Sequence, residues 1–187
     1  MKTIQTLTAA LAFFIASPAI ASDVEPVDQG NSPDGQLQVV NIHDGNGGFF
    51  EVRTSSGSVL FSEKSLNGQY AVTPRGAWQA LWSANSQWVA IAFGTTKFSV
   101  ETAVLHRNGA ALELVAIPHY DSESENTHRV PDEWRKNGDL VLAISTGYHT
   151  KSDGGIDQYL ATLHFQGTPL QGIKGLQTKS VSLRESE

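Results

Sequence analysis

After residue 31 the hydrophobic positions fall into short runs, each closed by turn-forming residues. Trp88–Phe93 and Leu140–Ile144 are continuously apolar and rich in strand formers. Runs this short, bounded by turns, predict strands buried on both faces; a helix would need about ten residues or more. Val100–Leu105, Leu112–Ile117, Tyr159–Phe165 and Val181–Leu183 predict further strands. Gln36–Ile42 is more polar, which predicts a strand in an end unit with one face open. No stretch after residue 21 carries a helical stripe. The pattern predicts an all-β domain.

The runs recur with a period. Ser32-Pro33-Asp34-Gly35, Ser83-Ala84-Asn85-Ser86 and Lys136-Asn137-Gly138 each lead into a strand, and Asp34, Asn85 and Asn137 lie 51 and 52 positions apart. Asp and Asn suit such turns because the side chain bonds its own turn and tolerates left-handed backbone, while Gly removes the Cβ clash. Gly57-Ser58-Val59-Leu60, Gly109-Ala110-Ala111-Leu112 and Gly167-Thr168-Pro169-Leu170 put Leu three places after Gly, as a tight hairpin would. The first two of these glycines lie 52 apart and the third is displaced to 58, with Gly147–Asp157 able to hold the extra residues. Trp82 and Trp134, again 52 apart, each stand just before the next turn. Three antiparallel units are predicted, at about 32–82, 83–134 and 135–185.

The strings Ser32-Pro33-Asp34-Gly35-Gln36-Leu37 and Trp82-Ser83-Ala84-Asn85-Ser86-Gln87-Trp88-Val89-Ala90 resemble the blade motif of TolB-like β-propellers, a WD-type blade repeat. The resemblance implies about four strands per unit. Ala84 stands where that motif has Pro, Ser86 where it has Gly, and the third copy keeps only Asn137-Gly138. Propellers close with about four to eight blades, so three would leave open edges. Two copies could complete a six-bladed ring as a homodimer, or the units could cover their own edges. A β-trefoil, which also uses three units of four strands and closes by itself, is the alternative fold.

The first residues change the expected compartment. Lys2, the apolar run Leu7–Ile15, Pro18 and Ala19-Ile20-Ala21 form a signal-peptide pattern, with cleavage expected after Ala21. The run is too short to span a membrane, which takes about 20 residues. Residues 22–187 then form one secreted or periplasmic domain. The chain has no Cys, which excludes disulfides, thiolate metal sites and a cysteine nucleophile. Loss of Lys2 takes the net charge from −6 to about −7, and no basic stripe is present. Such a surface repels phosphate, so neither nucleic acid nor an anionic membrane is expected as a partner.

Candidate chemistry is sparse. The histidines show no His-x-x-x-His or His-Glu-x-x-His spacing, and no Gly-x-Ser-x-Gly elbow or phosphate-cradling glycine motif is present. His106 and His164 precede hairpin glycines and read as exposed turn positions. The polar stretch 119–128, with His119, Tyr120 and Asp121, offers oxygen ligands but lacks the Asp-x-Asp-x-Asp-Gly pattern of a calcium loop. The stretch 147–157, with Tyr148, His149 and Asp153, departs from the period, as binding loops often do. These six residues are the candidate ligand-binding set. The tryptophans at 78, 82, 88 and 134 could form a sugar platform, but the last three sit at repeat anchors, where core packing is expected. No catalytic residue, metal or cofactor is assigned. The expectation is a non-enzymatic module binding a protein or small ligand, with a glycan hydrolase or a sugar-binding trefoil as alternatives.

Overall fold

The computed structural model describes residues 23–44, 47–66, 75–95, 99–117, 126–147, 156–165 and 176–179. Twelve strands run through them: β1 (Asp23–Asn31), β2 (Leu37–His43), β3 (Gly48–Thr54), β4 (Val59–Ser62), β5 (Ala77–Trp82), β6 (Trp88–Gly94), β7 (Val100–Asn108), β8 (Ala111–Val115), β9 (Asn126–Trp134), β10 (Leu140–Gly147), β11 (Ile156–Leu163) and β12 (Leu176–Lys179). A short 3-10 helix, Glu63–Leu66, follows β4 and is the only helical element among the described residues. The protein is all-β, as the hydrophobic pattern predicts.

Consecutive strands pair antiparallel within β1–β4, within β5–β8 and within β9–β12, giving three meanders. Two short parallel contacts join them, Asp28 to Gln79 between β1 and β5, and Val100 to His128 between β7 and β9. The result is one open mixed sheet that ends on β4 and β12, with β8 paired to β7 off the main path. Among the described residues the pairing does not return on itself, so the closed barrel of a trefoil is not seen in them.

The middle meander carries the packing. Val89, Ile91 and Phe93 belong to a core shared with Leu37, Val39, Phe50 and Val52 of the first meander. Ala90 and Val104 belong to a second core, shared with Leu140, Leu142 and Ile144 of the third. Strand β6 is therefore buried on both faces, which is why its sequence lacks alternation. Each fully buried aliphatic side chain here contributes about 1.5–3 kcal/mol relative to exposure. The first meander differs from its expectation of one open face: Val40, Ile42 and Phe49 form a third cluster and are 3%, 3% and 7% exposed.

The turns between β1 and β2, β5 and β6, and β9 and β10 share one bonding scheme. The side-chain oxygens of Asp34, Asn85 and Asn137 accept the amides two residues on, from Gln36, Gln87 and Asp139, at 3.1, 3.1 and 3.2 Å. In the first two turns a serine hydroxyl also donates to that side chain, Ser32 at 2.6 Å and Ser83 at 2.7 Å. Arg135 stands at the corresponding place in the third and bonds that turn through its backbone, while its guanidinium donates to Glu133 at 3.0 Å. Gly35, Ser86 and Gly138 all take the left-handed conformation, with φ of 68°, 57° and 88°. The strain on Ser86, where a glycine would be free, is offset by its hydroxyl, which accepts the Asp34 amide at 3.0 Å.

Candidate functional site

The strands divide the molecule into two ends. One end carries the turns just described and the hairpins at Thr54–Ser58 and Asn108–Ala111, all internally bonded. Arg107 closes this end by donating to Asp34 at 2.9 Å and to Gln36 at 2.6 Å. At the other end lie His43, Gly48, Phe93, Glu101, His128 and Gly147, set there by their pairings.

The sequence-selected residues His119, Tyr120, Asp121, Tyr148, His149 and Asp153 lie outside the described residues. The strand ends that flank their two segments are neighbours: Asn126 pairs with Gly147, and Gly147 pairs with Ile156. Both segments thus depart from the same end of the sheet. The predicted strand Val181–Leu183 also lies outside the described residues.

Among the described residues this end holds a constructed surface feature. Glu63 is buried, and its carboxylate accepts the Phe50 amide at 2.9 Å together with the amides of Arg75 and Gly76. Burial pushes its pKa above the usual carboxylate range, and the three N–H donors act against that rise. Asn41 in turn accepts the Ala77 amide at 2.7 Å and donates to the Ala77 carbonyl at 2.9 Å. Gly76 has φ of 78°, and a Cβ there would stand 2.7 Å from the Asn41 side-chain oxygen, so glycine is required. Backbone 75–77 is therefore clamped by two side chains.

The clamp is followed by a bulge. Ala77 pairs with Phe93 and Gln79 with Ala92, which leaves Trp78 as the extra residue. A bulge re-aims the side chain it carries, and Trp78 is 58% exposed. A Cβ on Gly94 would lie 3.3 Å from Cδ of Arg75 and 3.7 Å from the Trp78 indole nitrogen, so both side chains converge over bare backbone. The indole N–H groups of Trp82 and Trp134 donate inward, to the carbonyls of Gly30 and Leu81, each at 2.9 Å. No such bond engages the indole nitrogen of Trp78, nor any ion pair the Arg75 guanidinium, among the described residues. Sequence reasoning grouped Trp78 with the other tryptophans. The distinguishing signal, a bulge, depends on strand register.

Other polar groups here are paired. His43 lies 3.3 Å from Glu25 and its ring rests against Gly48, which bridges to Arg75. Lys64 lies 3.2 Å from Asp44 and sits over the Phe49 ring. Arg129 of β9 forms a buried ion pair with Glu101 of β7. Among the described residues no three His, Asp or Glu side chains gather as a metal site.

The two hairpin histidines are corrected by the structure. His106 lies within β7, packed on Trp88 with ring centroids 4.2 Å apart, and its Nδ1 is buried without a hydrogen bond. Desolvation holds its pKa below the usual value, against the opposing charge of Glu113. His164 follows β11 and lies 2.9 Å from the carboxylate of Asp139. Strand β7 runs on to Asn108, beyond the predicted end at Leu105, so position 106 belongs to the sheet.

No family model matches the chain, and no curated protein matches it in sequence.

Proposed function

We propose that the protein is an exported, non-enzymatic binding module whose three meanders are propeller-like blades and whose ligand-facing end carries Arg75 and Trp78. One observation carries the reading: polar side chains at the turn end bond the backbone and side chains of the protein's own turns, whereas at the opposite end a clamped bulge turns a tryptophan outward beside an arginine. Exposed aromatic and arginine side chains on rigid elements are what recognition surfaces use. Three further features support the blade reading. The three turns share their bonding scheme, Trp82 and Trp134 reach back to the preceding meander by the same inward bond, and each meander has four strands. The signal-peptide pattern supports export.

The test places a photo-crosslinking amino acid at position 78 in one version and at position 57, on the turn end, in another. Each is expressed in the cell envelope of the source organism. Adducts formed from position 78 and not from position 57 are expected. Adducts from position 57 alone, or from neither, overturn the assignment of the binding end. Mass spectrometry of the envelope form should show a chain beginning at Ser22; a retained amino-terminal segment overturns export by cleavage.

A further inference from the structure

We infer that Arg75 and Trp78 form a subsite for a carboxylate-bearing sugar, a uronate residue of an acidic glycan. The inference deepens the binding reading above and rests on it.

An exposed indole forgoes the free energy that its burial would contribute. The bulge at Ala77–Gln79 forgoes that gain, and it does so beside a guanidinium with no ion pair among the described residues. The two groups have complementary chemistry. The flat apolar indole face can carry the C–H face of a pyranose ring, and its N–H can donate to a ring hydroxyl. The Arg75 fork matches a carboxylate in two parallel hydrogen bonds. Gly94 leaves the gap in which Arg75 and Trp78 approach each other, and Gly48 leaves a second gap that seats the His43 ring beside the Arg75 backbone. Glu63 and Asn41 hold backbone 75–77, so little of this geometry has to be ordered on binding.

A peptide is the weaker fit. Strand β5 has β6 on one side and β1 on the other, so no open main-chain edge lies at Trp78 for an added strand. A nucleic-acid backbone is also the weaker fit, because the sequence offers no basic stripe to follow its phosphates. A uronate residue needs only one cation and one ring contact.

The test titrates the protein with alginate oligosaccharides, which carry a carboxylate on each ring, and with neutral cello-oligosaccharides, by calorimetry and tryptophan fluorescence. Saturable alginate binding is expected, with cello-oligosaccharides at least about tenfold weaker. Trp78→Ala and Arg75→Ala should each weaken alginate binding by about tenfold or more, and Arg75→Lys by less, because the charge remains while the fork is lost. Both positions are exposed, so thermal melting should be unchanged. Gly94→Ala should also weaken binding, because its Cβ would stand 3.2 Å from Cβ of Arg75. Absent alginate binding, equal binding of the neutral sugar, or binding untouched by both alanine variants overturns the proposal. Light scattering is read in parallel: a dimer that Trp78→Ala dissociates assigns the patch to a second copy and also overturns it. Crosslinks from position 78 without alginate binding leave the binding module standing and remove only the glycan.

Discussion

The two ends of this sheet are built from similar residues and use them in opposite ways. At the turn end Asp34, Asn85, Ser32 and Ser83 bond the backbone of their own turns, and Arg107 bonds Asp34 and Gln36 of the first turn through its side chain and Gln87 of the second through its backbone. At the other end Glu63 and Asn41 bond backbone 75–77, whose own side chain Arg75, with Trp78 next in line, is left facing outward. Polar side chains at the first end finish the fold. At the second they position other groups. The difference lies in what the bonded backbone carries next, not in composition.

That contrast can be broken in order of expected effect. Glu63→Ala should be the most destabilising change, by about 3–5 kcal/mol in urea unfolding, because the amides of Phe50, Arg75 and Gly76 all lose their acceptor. A loss within about 0.5 kcal/mol would show that the clamp is not structural. The non-titrating Glu63→Gln separates charge from bonding. The folded-state pKa of Glu63 is raised above the ordinary 4.5, so its contribution is most favourable below that value and declines as pH rises through the folded value. The stability of the wild type relative to Glu63→Gln should therefore fall from about pH 4 upward.

Trp82→Phe comes next. It removes a buried donor and leaves the Gly30 carbonyl without its bond, at a cost of about 1–3 kcal/mol. Trp78→Phe, by contrast, should leave the unfolding midpoint within about 0.5 kcal/mol. Equal effects from the two would erase the distinction between inward and outward tryptophans.

The turn end should respond to acid with the opposite sign from Glu63. The Ser32 hydroxyl, then the Gln36 amide, hold the Asp34 carboxyl below its ordinary 3.8, with Arg107 a smaller cause. Its contribution is full above that value and is lost as pH falls through the folded value. The stability gap between wild type and Asp34→Ala, about 1 kcal/mol near neutrality, should close between about pH 5 and pH 2. The smallest effect expected is from Ser86→Gly, within about 0.5 kcal/mol, because release of left-handed strain offsets loss of the bond from the Asp34 amide. A larger loss would show that the link between the first two turns outweighs the strain.

Much of the sheet was legible in sequence because burial on both faces leaves an unambiguous apolar run. Trp88–Phe93 and Leu140–Ile144 were predicted as strands and are found at Trp88–Gly94 and Leu140–Gly147. The turns at Asp34, Asn85 and Asn137 were legible for a local reason: the side chain bonds an amide two residues away. Strands β1 and β9 were not predicted. Asp23–Asn31 and Asn126–Trp134 are polar and contain Pro26 and Pro131, so the sheet forms there through neighbours rather than through propensity. The site was not legible for a related reason. The repeat set Trp78 apart from Trp82, Trp88 and Trp134 only as the tryptophan at no anchor, and that it stands on a bulge is decided by register.

The sequence by itself determined an all-β chain, the position of its tight turns and the strands with no polar face. These follow from interactions within a few residues and from the cost of exposing apolar runs to water. Tertiary structure alone decided that Glu63 meets the amides of Arg75 and Gly76, that Trp82 turns in while Trp78 turns out, and that Gly94 underlies Arg75. Each of those outcomes depends on which backbone group arrives opposite which side chain, and that is set by strand pairing across dozens of residues.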